Sequence, residues 1–319
     1  MRSPRQVARV ARAGILGTAL GLVALAATVT ASPFVVPETA AAASSPISMV
    51  AAENQYGNVA AQIGGRYVHV SSIESNPNTD PHSYEVSPSV AGEISGASVV
   101  IQNGVGYDTF MNRIESASPN SKRKVVNVQA LLHLPNSTPN PHLWYDPKTM
   151  PAVADAVGKD LGALDPRHRA YYRANVAKFD ASLGPWLSAI AAFRSSYPNI
   201  TAATTEPVAD YLLTAMGIHN LTPFSFQADI MNGTDPTAQD IALENGFFSE
   251  HRVKLFAYNQ QVVDSLTESI RSNAERSGVP VVGVYETMPT PGYDYQTWML
   301  AETNAIRQAV AKGTSTQQL

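Results

Sequence analysis

Two short segments of the chain each carry a Pro-His pair, and imidazole is the side chain that most often binds transition metals in proteins. The first is Asp80-Pro81-His82-Ser83-Tyr84-Glu85, and the second is Asn140-Pro141-His142-Leu143-Trp144-Tyr145-Asp146-Pro147. Proline fixes its own φ and restricts the residue before it, so each histidine is presented by a stiff segment. The chain has seven histidines, and two of them share this frame. This pattern predicts a metal site formed in part by His82 and His142.

The composition limits what else can hold a metal. The chain contains no cysteine, which excludes thiolate ligands, disulfides, cysteine nucleophiles and a lipid-modified cysteine. Any metal is therefore bound through nitrogen and oxygen. The formal net charge of −4 argues against nucleic acid as a partner, because nucleic-acid binding depends on a positive surface.

The first 31 residues have the composition of an export signal. Four arginines precede an uncharged stretch from Ala13 to Ala31, and the small residues at its end are typical of a cleavage site. The alternative is an uncleaved N-terminal anchor, because the apolar stretch approaches the length that spans a bilayer. Residues 32–46 lack periodicity and are predicted to be a flexible tether. We expect an exported protein, either released or held by its N-terminal segment, whose mature lobes do not insert into the membrane.

From Ile47 onward, short apolar runs alternate with amphipathic stretches, which is typical of layered α/β structure. Strands are predicted at 47–52, 67–73, 98–102 and 125–128, with helices at 55–63, 88–94 and 107–114. His82 follows the second of these strands and His142 follows the fourth. Both are therefore expected at the carboxyl edge of a parallel sheet, where ligands usually bind.

A different pattern begins at Asp165-Pro166, a predicted helix start. Large apolar residues then recur at alternating steps of four and three, which predicts one continuous helix face. These residues are Tyr172, Val176, Phe179, Leu183, Trp186, Ile190, Phe193 and Tyr197. Gly184-Pro185 conflicts with an unbroken helix, because proline removes a hydrogen bond and clashes with the preceding turn. We expect a kink or break near residues 181–185.

After this helix the α/β alternation resumes. Strands are predicted at 200–204, 253–258 and 279–284, with helices at 207–216, 235–248, 262–276 and 295–311. The predicted organisation is an N-terminal α/β lobe (47–160), a linking helix (161–198) and a C-terminal α/β lobe (199–319). Each lobe has a mostly parallel sheet flanked by helices. The cleft between the lobes is the expected binding site, because small ligands favour domain interfaces.

The two Pro-His motifs, the Asn103-Gly104-Val105-Gly106 turn between them and the long helix that starts with Asp-Pro occur in an order that resembles a known family. This is the bacterial solute-binding protein 9 family, the metal-binding components of zinc and manganese ABC importers. The resemblance covers residues 47–311. It implies a non-catalytic monomer that delivers a metal ion to a membrane permease. It also implies a metal held between the lobes by two ligands from each, with His82 and His142 as the N-lobe pair.

The same resemblance implies two carboxylate ligands in the C-terminal lobe. Glu206 occupies the place where the family has a ligand between a strand and a helix. Its alternative role is that of an acid at a helix N-terminus, which the helix dipole favours. Glu286 follows the last strand and is the fourth candidate, although the family spacing can also indicate a neighbour such as Thr287, which is not an anionic ligand.

Two imidazoles and two carboxylates suit manganese or ferrous iron, and they also bind zinc, which the Irving–Williams order places above manganese. The histidine-rich insertion often found in members dedicated to zinc is missing from this sequence. The donor types therefore favour manganese as the transported ion, with zinc a close second and Fe²⁺ third.

Two other functions remain open at this point. A secreted metal-dependent hydrolase can use a site of two histidines and a carboxylate with an open position, although the sequence lacks a His-Glu-x-x-His helix. A metal-binding adhesin on the same fold is the other alternative.

The remaining histidines, His69, His133, His168, His219 and His251, lack the Pro-His frame and are expected to be ordinary surface or hydrogen-bonded residues. His133 is the nearest competitor. Asp146 has two alternative roles: it orients a histidine ring, or it caps the next helix.

Overall fold

The computed structural model describes residues 45–319. The predicted signal peptide or anchor at 1–31, and most of the predicted tether at 32–46, lie outside the described residues. Within residues 45–319, the helices are too short or too polar for any of them to cross a membrane.

The N-terminal lobe is built on one parallel sheet. Its strands are β1 (Ile47–Glu53), β2 (Val68–Glu74), β3 (Val99–Gln102) and β4 (Lys124–Asn127). They are ordered β2-β1-β3-β4, and all neighbouring pairs are parallel. The helices are α1 (Asn54–Gly64), α2 (Pro88–Gly96), α3 (Thr109–Ala117), α4 (Val128–Leu131) and α5 (Thr149–Leu164). Helices α4 and α5 were not predicted from the sequence, and α5 continues past residue 160, the predicted end of the lobe.

The linking segment is not one continuous helix. A 3-10 turn (Pro166–His168) leads into α6 (Arg169–Ser182), and α7 (Gly184–Ser196) begins after Leu183. Pro185 lies in the first turn of α7, where its missing N–H leaves no helical hydrogen bond unmade. The apolar stripe from Tyr172 to Phe193 is nevertheless buried along its length. The two helices therefore share one packed face across the break.

The C-terminal lobe repeats the architecture of the first. Its strands are β5 (Ile200–Thr204), β6 (Ile218–Asn220), β7 (Leu255–Asn259) and β8 (Val281–Val284). They are ordered β6-β5-β7-β8, and again all neighbouring pairs are parallel. The helices are α8 (Asp210–Met216), α9 (Phe224–Met231), α10 (Ala238–Ser249), α11 (Ser265–Arg276) and α12 (Tyr295–Lys312). The short elements β6 and α9 were not predicted.

One hydrophobic core extends through both lobes. Tyr295, at the start of α12, packs edge-to-face on Trp186 of α7, with ring centroids 5.8 Å apart. Its hydroxyl donates to the Trp144 carbonyl in the N-terminal lobe at 2.7 Å. The final helix therefore contacts the linking segment and both lobes. The predicted fold class, two α/β lobes with parallel sheets and a helical linker, is confirmed.

Candidate metal centre

His82 lies in a 3-10 turn formed by Pro81–Ser83, after β2. The Asp80 side chain accepts a hydrogen bond from the His82 backbone N–H at 2.8 Å, which stabilises the turn at its N-terminus. About 25% of the His82 side chain is exposed, whereas the Glu206 and Glu286 side chains are fully buried. His82 is therefore the candidate ligand on the solvent side of the site.

His142 precedes a second 3-10 turn (Leu143–Tyr145) and is completely buried. The Asn140 side-chain oxygen accepts from the His142 backbone N–H at 3.0 Å and lies 2.8 Å from ring atom Nδ1. The Asn140 amide nitrogen donates to the Pro207 carbonyl at 2.7 Å. This orientation makes Nδ1 the protonated nitrogen of a neutral ring, so Nε2 carries the lone pair.

Glu206 lies between β5 and α8, and α8 begins only at Asp210. Glu206 is therefore not in the first helical turn, which removes its alternative role as a helix N-terminal carboxylate. Its Oε1 accepts from Asn259 Nδ2 at 3.0 Å, and its Oε2 lies 3.9 Å from His82 Nε2. Among residues 45–319, Oε2 has no hydrogen-bond partner although it is buried. Such an atom is costly unless it has another partner, such as a cation.

Glu286 follows β8 and lies at the centre of the group. Its Oε2 is 3.1 Å from His142 Nε2 and 3.2 Å from His82 Nε2, and it accepts from the Tyr107 hydroxyl at 2.8 Å. The neighbouring Thr287 instead accepts a hydrogen bond from the Gln261 side chain. Of these two neighbours, the structure brings Glu286 to the histidines.

His82, His142 and Glu286 form the only group of three or more possible ligands found among the described residues, with one ligand atom from each within 4.8 Å of the others. Glu206 Oε2 adds a fourth atom beside His82. Bonds of about 2.0–2.1 Å to a tetrahedral ion place ligand atoms roughly 3.3 Å apart. The separations of 3.1 and 3.2 Å from Glu286 Oε2 to the two histidines are close to that value, so these three side chains can hold one cation. Glu206 Oε2, 3.9 Å from His82 Nε2, is the candidate fourth ligand.

The neutral His142 ring gives a second reason to expect a cation. Its Nε2 lone pair faces an oxygen of the Glu286 carboxylate at 3.1 Å. Two acceptors repel each other at that distance unless a positive charge, such as the protonated His82 or a metal ion, lies near both. Burial lowers the pKa of His142, and the negative charge of Glu286 opposes this only partly. The arrangement is therefore suited to a metal ion.

Charge interactions among the other three candidate ligands shift the pKa of each. Burial disfavours a charged His82, but the charge and hydrogen bond of Glu286 and the charge of Glu206 outweigh burial and raise its pKa to about 9. Burial also raises the pKa of Glu286, yet the positive charge of His82 and its hydrogen bond hold it well below its usual range. Burial and the charge of Glu286 raise the pKa of Glu206 well above its usual range. A cation that binds here must displace the His82 proton.

Three further acids are buried in the N-terminal lobe, and burial raises the pKa of each. Burial raises the pKa of Glu74 to about 9 and that of Asp108 to about 6, and it raises the pKa of Glu53 well above its usual range. Glu74 is therefore largely neutral near pH 7, whereas Asp108 is largely ionised. Glu286 supplies the negative charge that directly contacts both histidines.

Aromatic rings surround the two histidines. Trp144 and Tyr107 pack edge-on to His142, with centroids 5.4 and 5.8 Å away, and Tyr107 also packs on His82 at 5.5 Å. Gly104 and Gly106, with φ near +80°, form the turn that leads to Tyr107, a conformation that glycine adopts without strain. These rings exclude water and hold the imidazoles in place.

The remaining histidines are not part of this group. His69, His133, His219 and His251 are exposed, and His168 stacks on Tyr67 at 3.8 Å. Asp146 accepts from the Lys148 backbone N–H at 3.0 Å and so forms the turn before α5. Asn140, rather than Asp146, orients the His142 ring.

Sequence reasoning did not identify the roles of Asn140, Tyr107 or Asn259. Asn140 lies within the second Pro-His motif, and Asn259 lies at the carboxyl end of a central strand. Their positions next to the expected site were the only sequence signals of a role there. Their hydrogen-bond partners are distant in the sequence and cannot be read from local spacing.

Comparison with known proteins identifies a family of similar sequence and fold. The protein-family model described as "Zinc-uptake complex component A periplasmic" (ZnuA) matches residues 49–309. The chain is 22% identical over 230 residues to a putative metal-binding protein of Treponema pallidum (strain Nichols), covering 65% of this chain and 70% of that protein. It is 23% identical over 143 residues to the manganese-binding lipoprotein MntA of Bacillus subtilis (strain 168), covering 43% of this chain and 46% of MntA.

The fold is similar to that of the periplasmic zinc binding protein TroA from Treponema pallidum. The TM-score is 0.70 at 19% sequence identity, covering 85% of this chain and 99% of that chain. At this identity the similarity shows the fold alone. The family model, in contrast, extends over most of the sequence and includes all four candidate ligands. The chain therefore belongs to the ZnuA family of metal-binding solute-binding proteins.

Proposed function

We propose that this protein captures a divalent transition metal outside the cytoplasm, through His82, His142, Glu206 and Glu286, and delivers it to the permease of an ABC importer. The observation that carries the proposal is the set of acceptor atoms that face one another in the cleft. Glu206 Oε2 is buried without a hydrogen-bond partner among the described residues, and the His142 Nε2 lone pair faces a carboxylate oxygen. A metal cation satisfies both.

Members of this family are metal-binding components of importers and not enzymes. The alternative of a metal-dependent hydrolase is therefore wrong for this family. The adhesin alternative makes a different prediction, because loss of an adhesin would leave metal uptake unchanged.

The choice of metal rests on donor chemistry. Two nitrogens and two carboxylates suit manganese and ferrous iron by donor type, and zinc follows closely because of its higher intrinsic affinity. One relative is named for manganese and one structural neighbour for zinc. The protein is proposed to act as a monomer, either released or held by its N-terminal segment.

Transport tests the function. Deletion of the gene in the native host is expected to slow uptake of radioactive manganese or zinc in medium depleted by a chelator. The wild-type gene should restore uptake, and the Glu286→Gln gene should not. Unchanged uptake after deletion, in cells that do not carry a second importer of this kind, would rule out the transport role.

Metal affinity is expected to rise with pH between about 7 and 9. His82, with a pKa of about 9, binds metal only after losing its proton. Below that pKa the metal competes with the proton, so affinity changes about tenfold per pH unit for this group. Competition titrations with a chelator of known pH dependence, at about pH 7 and about pH 8.5, measure the slope. Equal affinity at the two values would contradict the protonated His82.

A further inference from the structure

The side-chain amide of Asn259 bridges the two candidate carboxylate ligands. Asn259 is the last residue of β7 and is fully buried. Strand β7 lies between β5 and β8, the strands that lead to Glu206 and Glu286. Its Nδ2 lies 3.0 Å from Glu206 Oε1 and 2.7 Å from Glu286 Oε1. One amide group with two hydrogens therefore donates to one oxygen of each carboxylate.

The orientation of this amide is fixed by its surroundings. Its Oδ1 accepts from the Gln261 backbone N–H at 3.0 Å, and the Asn259 backbone N–H donates to the Thr205 hydroxyl at 3.0 Å. A reversed amide would place its oxygen against two carboxylate oxygens and its nitrogen against an N–H. The nitrogen therefore faces the carboxylates, and the contact is a charge-assisted hydrogen bond, one of the stronger kinds.

This arrangement divides the four carboxylate oxygens into two pairs. The Oε1 atoms of Glu206 and Glu286 are held by Asn259, whereas both Oε2 atoms face the histidines, at 3.2 Å for Glu286 to His82 and 3.9 Å for Glu206 to His82. Each carboxylate therefore presents one oxygen to the cleft. Together with the two Nε2 atoms, the site offers four donors.

The number of donors bears on metal choice. Four nitrogen and oxygen donors match the tetrahedral preference of zinc. Manganese favours octahedral coordination, and carboxylates that bind through both oxygens supply additional donors to hard cations. Resting on the proposed function, we infer that Asn259 is a selectivity-determining residue that restricts Glu206 and Glu286 to one oxygen each and so favours zinc over manganese. This order is the reverse of the one predicted from donor types alone.

The test compares wild type with Asn259→Leu, which has a similar volume and no hydrogen-bond donor. Dissociation constants for zinc and for manganese are measured separately by chelator competition. Loss of the amide is expected to improve manganese binding relative to zinc binding by about tenfold or more. Substitutions of residues that support metal ligands commonly have effects of this size. If Asn259 only stabilised the fold, its loss would weaken the binding of both metals equally and leave the ratio of the dissociation constants unchanged.

Asn220→Leu is the matched control. Asn220 lies in the same sheet, and its amide also donates two hydrogen bonds, to Thr204 Oγ1 and Asp210 Oδ1, neither of which is a candidate ligand atom. The ratio of the zinc and manganese dissociation constants of this variant should equal that of wild type. Asn259→Ala, which removes the donor without adding bulk, is measured in parallel and should show the same shift as Asn259→Leu.

Cobalt(II) bound to the wild-type protein gives a readout that does not depend on any variant. Tetrahedral cobalt absorbs visible light far more strongly than octahedral cobalt because it lacks a centre of symmetry. An intense spectrum in wild type and a weaker one in the Asn259 variants is expected. An octahedral spectrum in wild type, or an unchanged metal ratio in folded variants, would overturn the role of Asn259. Failure of the wild type to bind any metal would instead overturn the proposed function.

Discussion

Replacing Glu286 by glutamine is expected to weaken the binding of both zinc and manganese by about 100-fold or more. Loss of a residue that only supports a ligand commonly costs roughly 10–100-fold, and Glu286 is itself a proposed ligand. Its Oε2 is also the atom that lies within 3.2 Å of both histidines. Glutamine keeps the shape of the side chain but removes the negative charge that balances the cation.

Chelator competition or isothermal titration measures this loss. Glu244→Gln is the control, because Glu244 is a fully buried acid of the same lobe that accepts from the Thr222 hydroxyl. Burial raises its pKa to about 8, so the acid is largely neutral near pH 7 and glutamine is a close mimic. Wild-type affinity in Glu286→Gln would remove Glu286 from the ligand set.

Two substitutions of Glu206 are expected to change the affinities for zinc and manganese in different ways. Glu206→Ala should weaken zinc and manganese by about tenfold or more, because it removes one donor and one charge. Glu206→His should shift preference toward zinc, since a third imidazole in place of a carboxylate suits tetrahedral zinc and is a poorer donor for manganese. The ratio of the zinc and manganese dissociation constants, measured under the same conditions, tests the shift toward zinc.

Asp210, the first residue of α8, supplies the control for Glu206. Its carboxylate accepts from the Asn220 and Gln227 side chains at 3.0 Å each. It is therefore held by structural partners and cannot readily replace Glu206. Asp210→Asn should leave the metal ratio unchanged. If Glu206→Ala bound both metals like wild type, Glu206 would have no role in coordination.

Much of the fold could be predicted because its strands are short, apolar and bounded by turn residues. The strand at 200–204 was predicted with the bounds that the structure shows. Helix α5 was not predicted, in part because Pro151 interrupts the pattern, yet proline is tolerated in the first turn where it lies. The linking segment divides into two helices at Leu183, within the predicted range 181–185. The apolar spacing continues across the break because both helices bury the same face.

The site was only partly accessible from the sequence. Stiff Pro-His segments identified His82 and His142, and the resemblance to a family supplied Glu206 and Glu286. The hydrogen bonds that orient these side chains join residues far apart, such as Tyr107 with Glu286 and Asn259 with Glu206. Such contacts depend on how the two sheets bring their carboxyl ends together, which no local pattern encodes. The restriction of the carboxylates by Asn259 could therefore not be foreseen.

Anomalous X-ray diffraction from crystals loaded with one equivalent of zinc tests the central claim most directly. We expect one strong peak at the zinc absorption edge, within about 2.0–2.2 Å of His82 Nε2, His142 Nε2, Glu206 Oε2 and Glu286 Oε2. A peak that is bound by other residues, or a fully loaded protein without a peak between these four side chains, would contradict the account.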